Sequence, residues 1–210
     1  MFIGLQSSFG HQTDFFFAEK ISTEVAERLD AFYLNPLPYS LSVEHRGFAG
    51  TVFLKPQTLK RLIWDIAQSV SEWGVRYLAV LNCHGGNFVL NPAVREWNME
   101  SRLPHTMLID FYAGLTDTGV NLHAGCVETS LMLYLAPEQV REKSMRDFVP
   151  EQGREDLTHF GMKGLSLEGV WGHPSESTRV KGVRWFREAV DYCIARVKTL
   201  RVGFDRLDAP

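Results

Sequence analysis

Three short segments carry side chains able to hold a metal ion or move a proton. The first is Asn82-Cys83-His84-Gly85-Gly86-Asn87, directly after the apolar run Tyr77-Leu78-Ala79-Val80-Leu81. A buried strand that ends in a small polar turn places an imidazole at the carboxyl end of a sheet, where ligand sites form in open α/β folds. The glycines let the backbone turn tightly and come close to whatever the histidine holds. A Gly-flanked loop is a poor place for core packing, and neutral imidazole is the commonest metal ligand near physiological pH. His84 therefore reads as a ligand, with Asn82 and Asn87 either forming the turn or orienting the ring.

The second segment is His123-Ala124-Gly125-Cys126-Val127-Glu128-Thr129-Ser130. Glu128 would stand in the first turn of a helix, where a carboxylate is stabilising on dipole grounds alone. It also lies three and four residues before Leu131 and Met132, on the apolar stripe, and a buried carboxylate needs a charged partner. A metal supplies one, with His123 on the preceding loop as proton shuttle. The third segment, Gly10-His11-Gln12-Thr13-Asp14, reads equally as a loop histidine followed by a helix N-cap, or as nitrogen and oxygen ligands for a divalent ion. Glu44-His45 reads first as a solvated turn, second as pocket wall or subunit contact. Trp171-Gly172-His173-Pro174 is a punctuated loop whose aromatic side chain suits the lining of a cleft.

Strands and helices must position these groups. From Asp14, the recurrence of Ala18, Ile21, Val25 and Leu29 predicts a helix. Ala31-Phe32-Tyr33-Leu34 and Thr51-Val52-Phe53-Leu54 read as short strands. The clearest helix covers residues 57–73, with Leu59, Leu62, Ile63, Ile66, Ala67, Val70 and Trp73 on one face and Gly74 at the position that ends it. A buried strand at 75–81, a helix at 92–101, a strand at 106–110 and a helix at 127–135 stopped by Ala136-Pro137 follow. Residues 138–168 read as polar and irregular, and a last helix covers 181–200. Alternating strands and helices imply a mainly parallel sheet covered on both faces, a three-layer α/β architecture in one domain spanning residues 1–210.

The bulk properties narrow the function classes. The chain has 210 residues, enough for one sizeable core, with 45% hydrophobic and 22% charged residues. A net charge of -3 and a pI of 6.2 offer no phosphate-neutralising patch, which argues against nucleic acid. The apolar runs fall short of the roughly 20 residues that span a bilayer. The first residues lack a basic n-region, so no signal peptide is expected. Three widely spaced cysteines, Cys83, Cys126 and Cys193, point to a reducing cytoplasm and against a disulfide framework.

The ordered motifs together resemble the creatininase (creatinine amidohydrolase) family. Residues 82–87 are similar to its N-G-H-G-G-N motif, with Cys83 in place of a glycine, and residues 123–130 to its H-A-G-x-x-E-T-S motif. Leu37-Pro38-Tyr39-Ser40, Glu44-His45 and Phe48-Ala49-Gly50-Thr51 resemble its P-Y-G…E-H…F-P-G-T block. Gly169-Val170-Trp171-Gly172-His173-Pro174, Thr178 and Lys181-Gly182 resemble its closing segment. The resemblance implies a three-layer αβα fold and a binuclear divalent-metal site, usually zinc with a second ion of zinc, manganese or iron. It implies a homo-oligomer, often hexameric, that hydrolyses small cyclic or linear amides such as creatinine, formamides or peptides. Carried over by position, Asp14 would bridge the metals, His84 and Glu128 would be ligands, Glu128 alternatively a base, and His123 the catalytic histidine.

The chain departs from the family at one place. The family's G-S-T-E-Q-H-G supplies a Glu and a His to the metals, whereas the matching region here reads Gly4-Leu5-Gln6-Ser7-Ser8-Phe9-Gly10-His11. No Glu precedes Asp14, so the expected site has Asp14, His84 and Glu128, joined by His11, and one customary ligand fewer. The first strand and first metal-ligand motif are read as shortened. The leading expectation is a metal-dependent amidohydrolase; the rival is a non-catalytic member that has lost part of its metal site and serves as a binding or assembly subunit.

Overall fold

The structure, a computed structural model, describes residues 2–5, 13–100 and 103–209, with the backbone alone at 2–5. His11 lies outside the described residues. Three strands, β1 (Phe2–Leu5), β2 (Tyr77–Asn82) and β3 (His105–Asp110), form a parallel sheet in the order β1-β2-β3. Ala79 pairs with Phe2 on one side and with Met107 on the other. The central strand is apolar because both of its faces are covered. Leu78 and Val80 enter one core while Ala79 and Leu81 enter the other, as the two-residue alternation of a strand requires.

Helices supply those two cores. On one face lie α1 (Thr13–Arg28), α4 (Cys126–Leu135) and α6 (Arg179–Leu207), which bury Phe17, Ile21, Leu131, Trp185 and Val190 against the sheet. On the other lie α2 (Pro56–Ser71) and α3 (Leu90–Glu100), with Leu59, Ile63, Ala67, Val70 and Trp97. The helix expected at residues 57–73 forms as α2 with Leu59, Ile63, Ala67 and Val70 inward, but Trp73, expected on the same stripe, lies past its end and is exposed, next to Gly74, whose φ of +75° a residue with a Cβ adopts at a cost. The result is the expected αβα sandwich. No helix among the described residues is long and apolar enough to cross a membrane.

Three further expectations fail. Residues 31–34 do not form a strand: Asp30 takes a φ of +48° and the Ala31 N–H bonds back to the Ala26 carbonyl, so the chain is still closing α1. Residues 51–54 run extended: the Leu54 N–H bonds to the Ser40 carbonyl, and among the described residues no ladder forms. Residues 138–168 are not wholly irregular, because α5 (Leu157–Leu165) forms there. Its Met162 and Leu165 join Trp171, with Phe48, Leu122 and Leu157 against them, in a third apolar cluster apart from the two main cores.

Candidate metal centre

The segments that leave the carboxyl end of the sheet converge on His84. The strand β2 delivers the residue, and a hydrogen-bonded pair of amides fixes its loop. Asn82 Oδ1 accepts from the His84 N–H at 3.3 Å and from Asn87 Nδ2 at 3.0 Å. Asn87 Oδ1 in turn accepts from the Leu41 N–H at 3.1 Å, which ties in the segment carrying Ser42, Glu44 and His45. Both asparagines are buried, and they orient this histidine loop rather than merely turning the chain.

Carboxylates stand on both nitrogens of the imidazole. Asp14, in the first turn of α1 and buried, places Oδ2 3.2 Å from Nδ1. Glu44, on the short 3-10 turn Val43–His45, places Oε1 2.8 Å from Nε2, with Ser42 Oγ at 3.4 Å. His45 Nε2 lies 3.7 Å from the same Glu44 oxygen. Gly86 makes this approach possible: a Cβ there would stand 2.0 Å from Glu44 Oε1 and 2.4 Å from His84 Nε2. Burial alone would lower the His84 pKa, but the hydrogen bonds to Asp14 and Glu44 prevail and raise it to about 9. Glu44 moves down, because the same imidazolium outweighs the upward push of burial.

A second group of side chains adjoins the first. The His123 ring lies 4.4 Å from the ring of His45, which is 1% exposed and held neutral, its pKa lowered to about 3 by burial and by the neighbouring His123. His123 Nδ1 donates to the Gly169 carbonyl at 2.6 Å, and its backbone pairs with that of buried Trp171. Glu128, in the first turn of α4, accepts from the Tyr112 hydroxyl at 2.8 Å and from the Ala124 N–H at 2.6 Å. Burial and the Asp14 charge push its pKa up, against the pull of His123 and the two donors.

The expected ligands are thus split. Asp14 and His84 meet directly, and Glu128 stands near enough to Asp14 and His123 to feel both. Glu44 and His45 do not form a solvated turn. With His84 they offer three donor atoms, all within 4.8 Å of one another. Two imidazoles and a carboxylate are a donor set that suits zinc and related divalent ions. Three protein ligands leave a position for water or substrate, the pattern of catalytic rather than structural zinc sites. The residues present therefore fit a divalent metal.

A family model described as creatinine amidohydrolase matches residues 9–197. The chain belongs to the creatininase family. A mycofactocin precursor peptide peptidase of Mycobacterium ulcerans (strain Agy99) is 32% identical over 179 residues, covering 81% of this chain and 67% of that protein. Among solved structures, a creatinine amidohydrolase (creatininase) superposes with a TM-score of 0.80 at 21% identity, covering 94% of this chain and 88% of that one. A mutant creatininase described as Zn-Zn type gives 0.79 at 21%, covering 97% and 90%. The αβα sandwich of this chain is the creatininase fold, and the chain is a creatininase-family hydrolase.

Proposed function

We propose that this hydrolase is a metal-dependent amidohydrolase that cleaves the amide bond of a peptide-like substrate. The observation that carries the reading is the convergence of Asp14, Glu44, His45 and His84 at the carboxyl end of β2, in a chain whose curated relative is a peptidase. The peptide class is favoured over creatinine because that relative is the nearer in sequence, 32% identical against 21% for the creatininases that share the fold. Zinc is the proposed ion, from the N, N, O donor set and from the solved relative described as Zn-Zn type. Manganese or iron could stand as a second ion.

Glu44, His45 and His84 would hold the metal, with Asp14 either joining them or fixing the His84 ring from its Nδ1 side. Bound there, a divalent ion lowers the pKa of a water and polarises the substrate carbonyl. The chain does the rest. His123 donates its Nδ1 proton to the Gly169 carbonyl, so Nε2 is its basic nitrogen and the atom that takes and returns a proton. Delivering that proton to the departing nitrogen lets the amine leave as a neutral group. His45, packed on the His123 ring and neutral, adds no competing positive charge.

The test is hydrolysis by the purified chain, loaded with zinc or manganese, of short peptides, formamides and creatinine. Release of a free amine from the peptides is expected, with little or none from creatinine. No hydrolysis of any of the three with either metal would favour the rival reading, a non-catalytic member that serves as a binding or assembly subunit. A homo-oligomer, hexameric in the family pattern, is part of the same proposal, and sedimentation equilibrium tests it.

A further inference from the structure

We propose that the free edge of β3 is a docking site for the carboxyl-terminal end of an extended peptide, with Arg196 holding its carboxylate; this rests on the peptide-cleaving reading above. Among the described residues β3 ends the sheet, so one side of its backbone faces away from β2. The register shows which groups lie on that side. The His105 N–H bonds to the Arg76 carbonyl, so His105, Met107 and Ile109 turn their backbone polar groups toward β2, and Thr106 and Leu108 turn theirs outward. At Thr106 the edge is closed: Asn98 of α3 accepts from its N–H at 2.9 Å and donates to its carbonyl at 2.8 Å, as a neighbouring strand would. Past Asp110 the strand gives way to the 3-10 turn Phe111–Gly114. Leu108 is left between these two ends, and no described residue bonds to its outward N–H and carbonyl.

Leu108 lines a cavity of about 340 Å³, at the small end of the ~300–1,000 Å³ range of ligand sites. Arg196 of α6, half-buried in the cavity wall, has no ion pair or hydrogen bond with any described residue. A guanidinium without a partner is a seat for a carboxylate, which its planar fork can take through two hydrogen bonds. Asp110 stands in the same wall, beyond ion-pair distance from Arg196. It is fixed there by the Tyr112 N–H and by Asn82 Nδ2, and its remaining lone pairs suit N–H donors and repel a second carboxylate. The two charges orient a ligand with its negative end at Arg196 and its N–H groups toward Asp110 and the Leu108 carbonyl, which is the polarity of a peptide's last residues. Phe88, 60% exposed, offers a side chain of that peptide an apolar face. Asn98 limits the length, because an added strand cannot run on past Leu108 to Thr106. Gly85 and Asn87 line the cavity too, so a docked segment lies on the loop that carries His84, beside the metal donors rather than among them.

The probe is the peptide acetyl-Thr-Val-Phe, whose β-branched residues favour an extended chain, prepared as the free acid and as the carboxyl-terminal amide. Calorimetric titration of the purified chain, with and without a chelator, should show the acid binding ~10-fold or more tighter than the amide, the scale of one hydrogen bond to a charged group. Arg196→Gln should erase that preference and Arg196→Lys should restore part of it, with a thermal melt showing that both variants fold. Hydrogen exchange with the acid bound should protect the Leu108 amide and leave that of Thr106, already bonded to Asn98, as it was. Equal affinity for acid and amide, a preference that survives Arg196→Gln, or an unprotected Leu108 amide overturns the proposal. So does a smaller assembly of Arg196→Gln in sedimentation, which would make the cavity a contact between subunits. A chain that hydrolyses peptides but binds the acid no better than the amide overturns this proposal alone, whereas one that binds neither probe and hydrolyses no peptide overturns it together with the reading beneath it.

Discussion

Replacing Gly86 by alanine should disable the candidate metal centre while leaving the fold standing. The added Cβ would lie 2.0 Å from Glu44 Oε1, 2.6 Å from Glu44 Cδ and 2.4 Å from His84 Nε2. Non-bonded heavy atoms settle at roughly 3.5 Å, so something must retreat by more than about 1 Å. The imidazole has little room, because Asp14 holds its Nδ1 at 3.2 Å and Asn82 holds its backbone N–H. Glu44 Oε1 is the end of a flexible side chain and gives way, breaking its 2.8 Å bond to His84. Moving Glu44 takes one of the three donor atoms out of position, and disturbing how a metal ligand is aligned costs ~10–100-fold in metal affinity. Gly86→Ala should therefore lose about that much zinc affinity, and turnover at limiting zinc should fall in proportion. A chelator-competition titration with a thermal melt on the same sample measures both quantities. Wild-type zinc affinity in a folded Gly86→Ala chain would refute the reasoning, and so would a collapse of the melting temperature, which would mean that the loop and not Glu44 had moved.

Three further outcomes are expected. His123→Ala should retain zinc and slow peptide hydrolysis by about 10²–10⁴-fold, the range for losing a general acid–base, as measured by turnover per folded molecule. Gly182→Ala should destabilise the fold, because a Cβ there would stand 1.9 Å from the Ser130 carbonyl oxygen of α4; backbone cannot swing aside, and overpacking of this kind costs about 1–3 kcal/mol, read as a lower urea midpoint. The metal-free protein should lose stability as pH rises from 6.5 through about 9: His84 has its folded pKa above its ordinary value of 6.5, so its contribution is fully present below that value and is lost as the proton leaves. Zinc should remove this dependence by displacing the proton, so calorimetric titration at pH 7.5 in two buffers of different ionisation enthalpy should show proton release on binding.

Periodicity made the two outer layers legible. The stripe Leu59, Ile63, Ala67 and Val70 has one way to bury itself, and β2 is apolar at successive positions because helices cover both of its faces. What periodicity could not supply was the state of short segments. Residues 31–34 and 51–54 have strand-like side chains, but a strand exists only where a neighbour offers a ladder, and among the described residues none forms there beyond a single bridge position at Tyr33. The helix α5 escaped because Gly161, at φ +62°, kinks its backbone and its apolar residues face a small local cluster rather than the main core. That glycine lies against the Glu44 carbonyl, with a Cβ there only 3.0 Å from it, so the kink answers to a partner more than a hundred positions away in the chain.

The candidate site divides along the same line. His84 stood out because its chemistry and its position after a buried strand are both local properties of the sequence. Glu44 and His45 lacked such a signal, since a carboxylate beside a histidine in a loop is what a solvated turn also looks like. The informative residue was Gly86, read as a turn former that lets the backbone approach whatever His84 holds and not as room for a second ligand's carboxylate. Beside an imidazole, a glycine whose φ is not in the left-handed region is kept for space rather than for conformation, and the space here holds the Glu44 carboxylate. The absent side chain at 86 and the present one at 44 are two halves of one contact. Tyr112 follows the same logic from the other side: nothing near it in sequence marks it, yet the end of β3 and the first turn of α4 bring its hydroxyl to Glu128. The metal-binding chemistry is written in residue types, while the choice of which carboxylate serves which role is made by the crossings of elements at the end of the sheet.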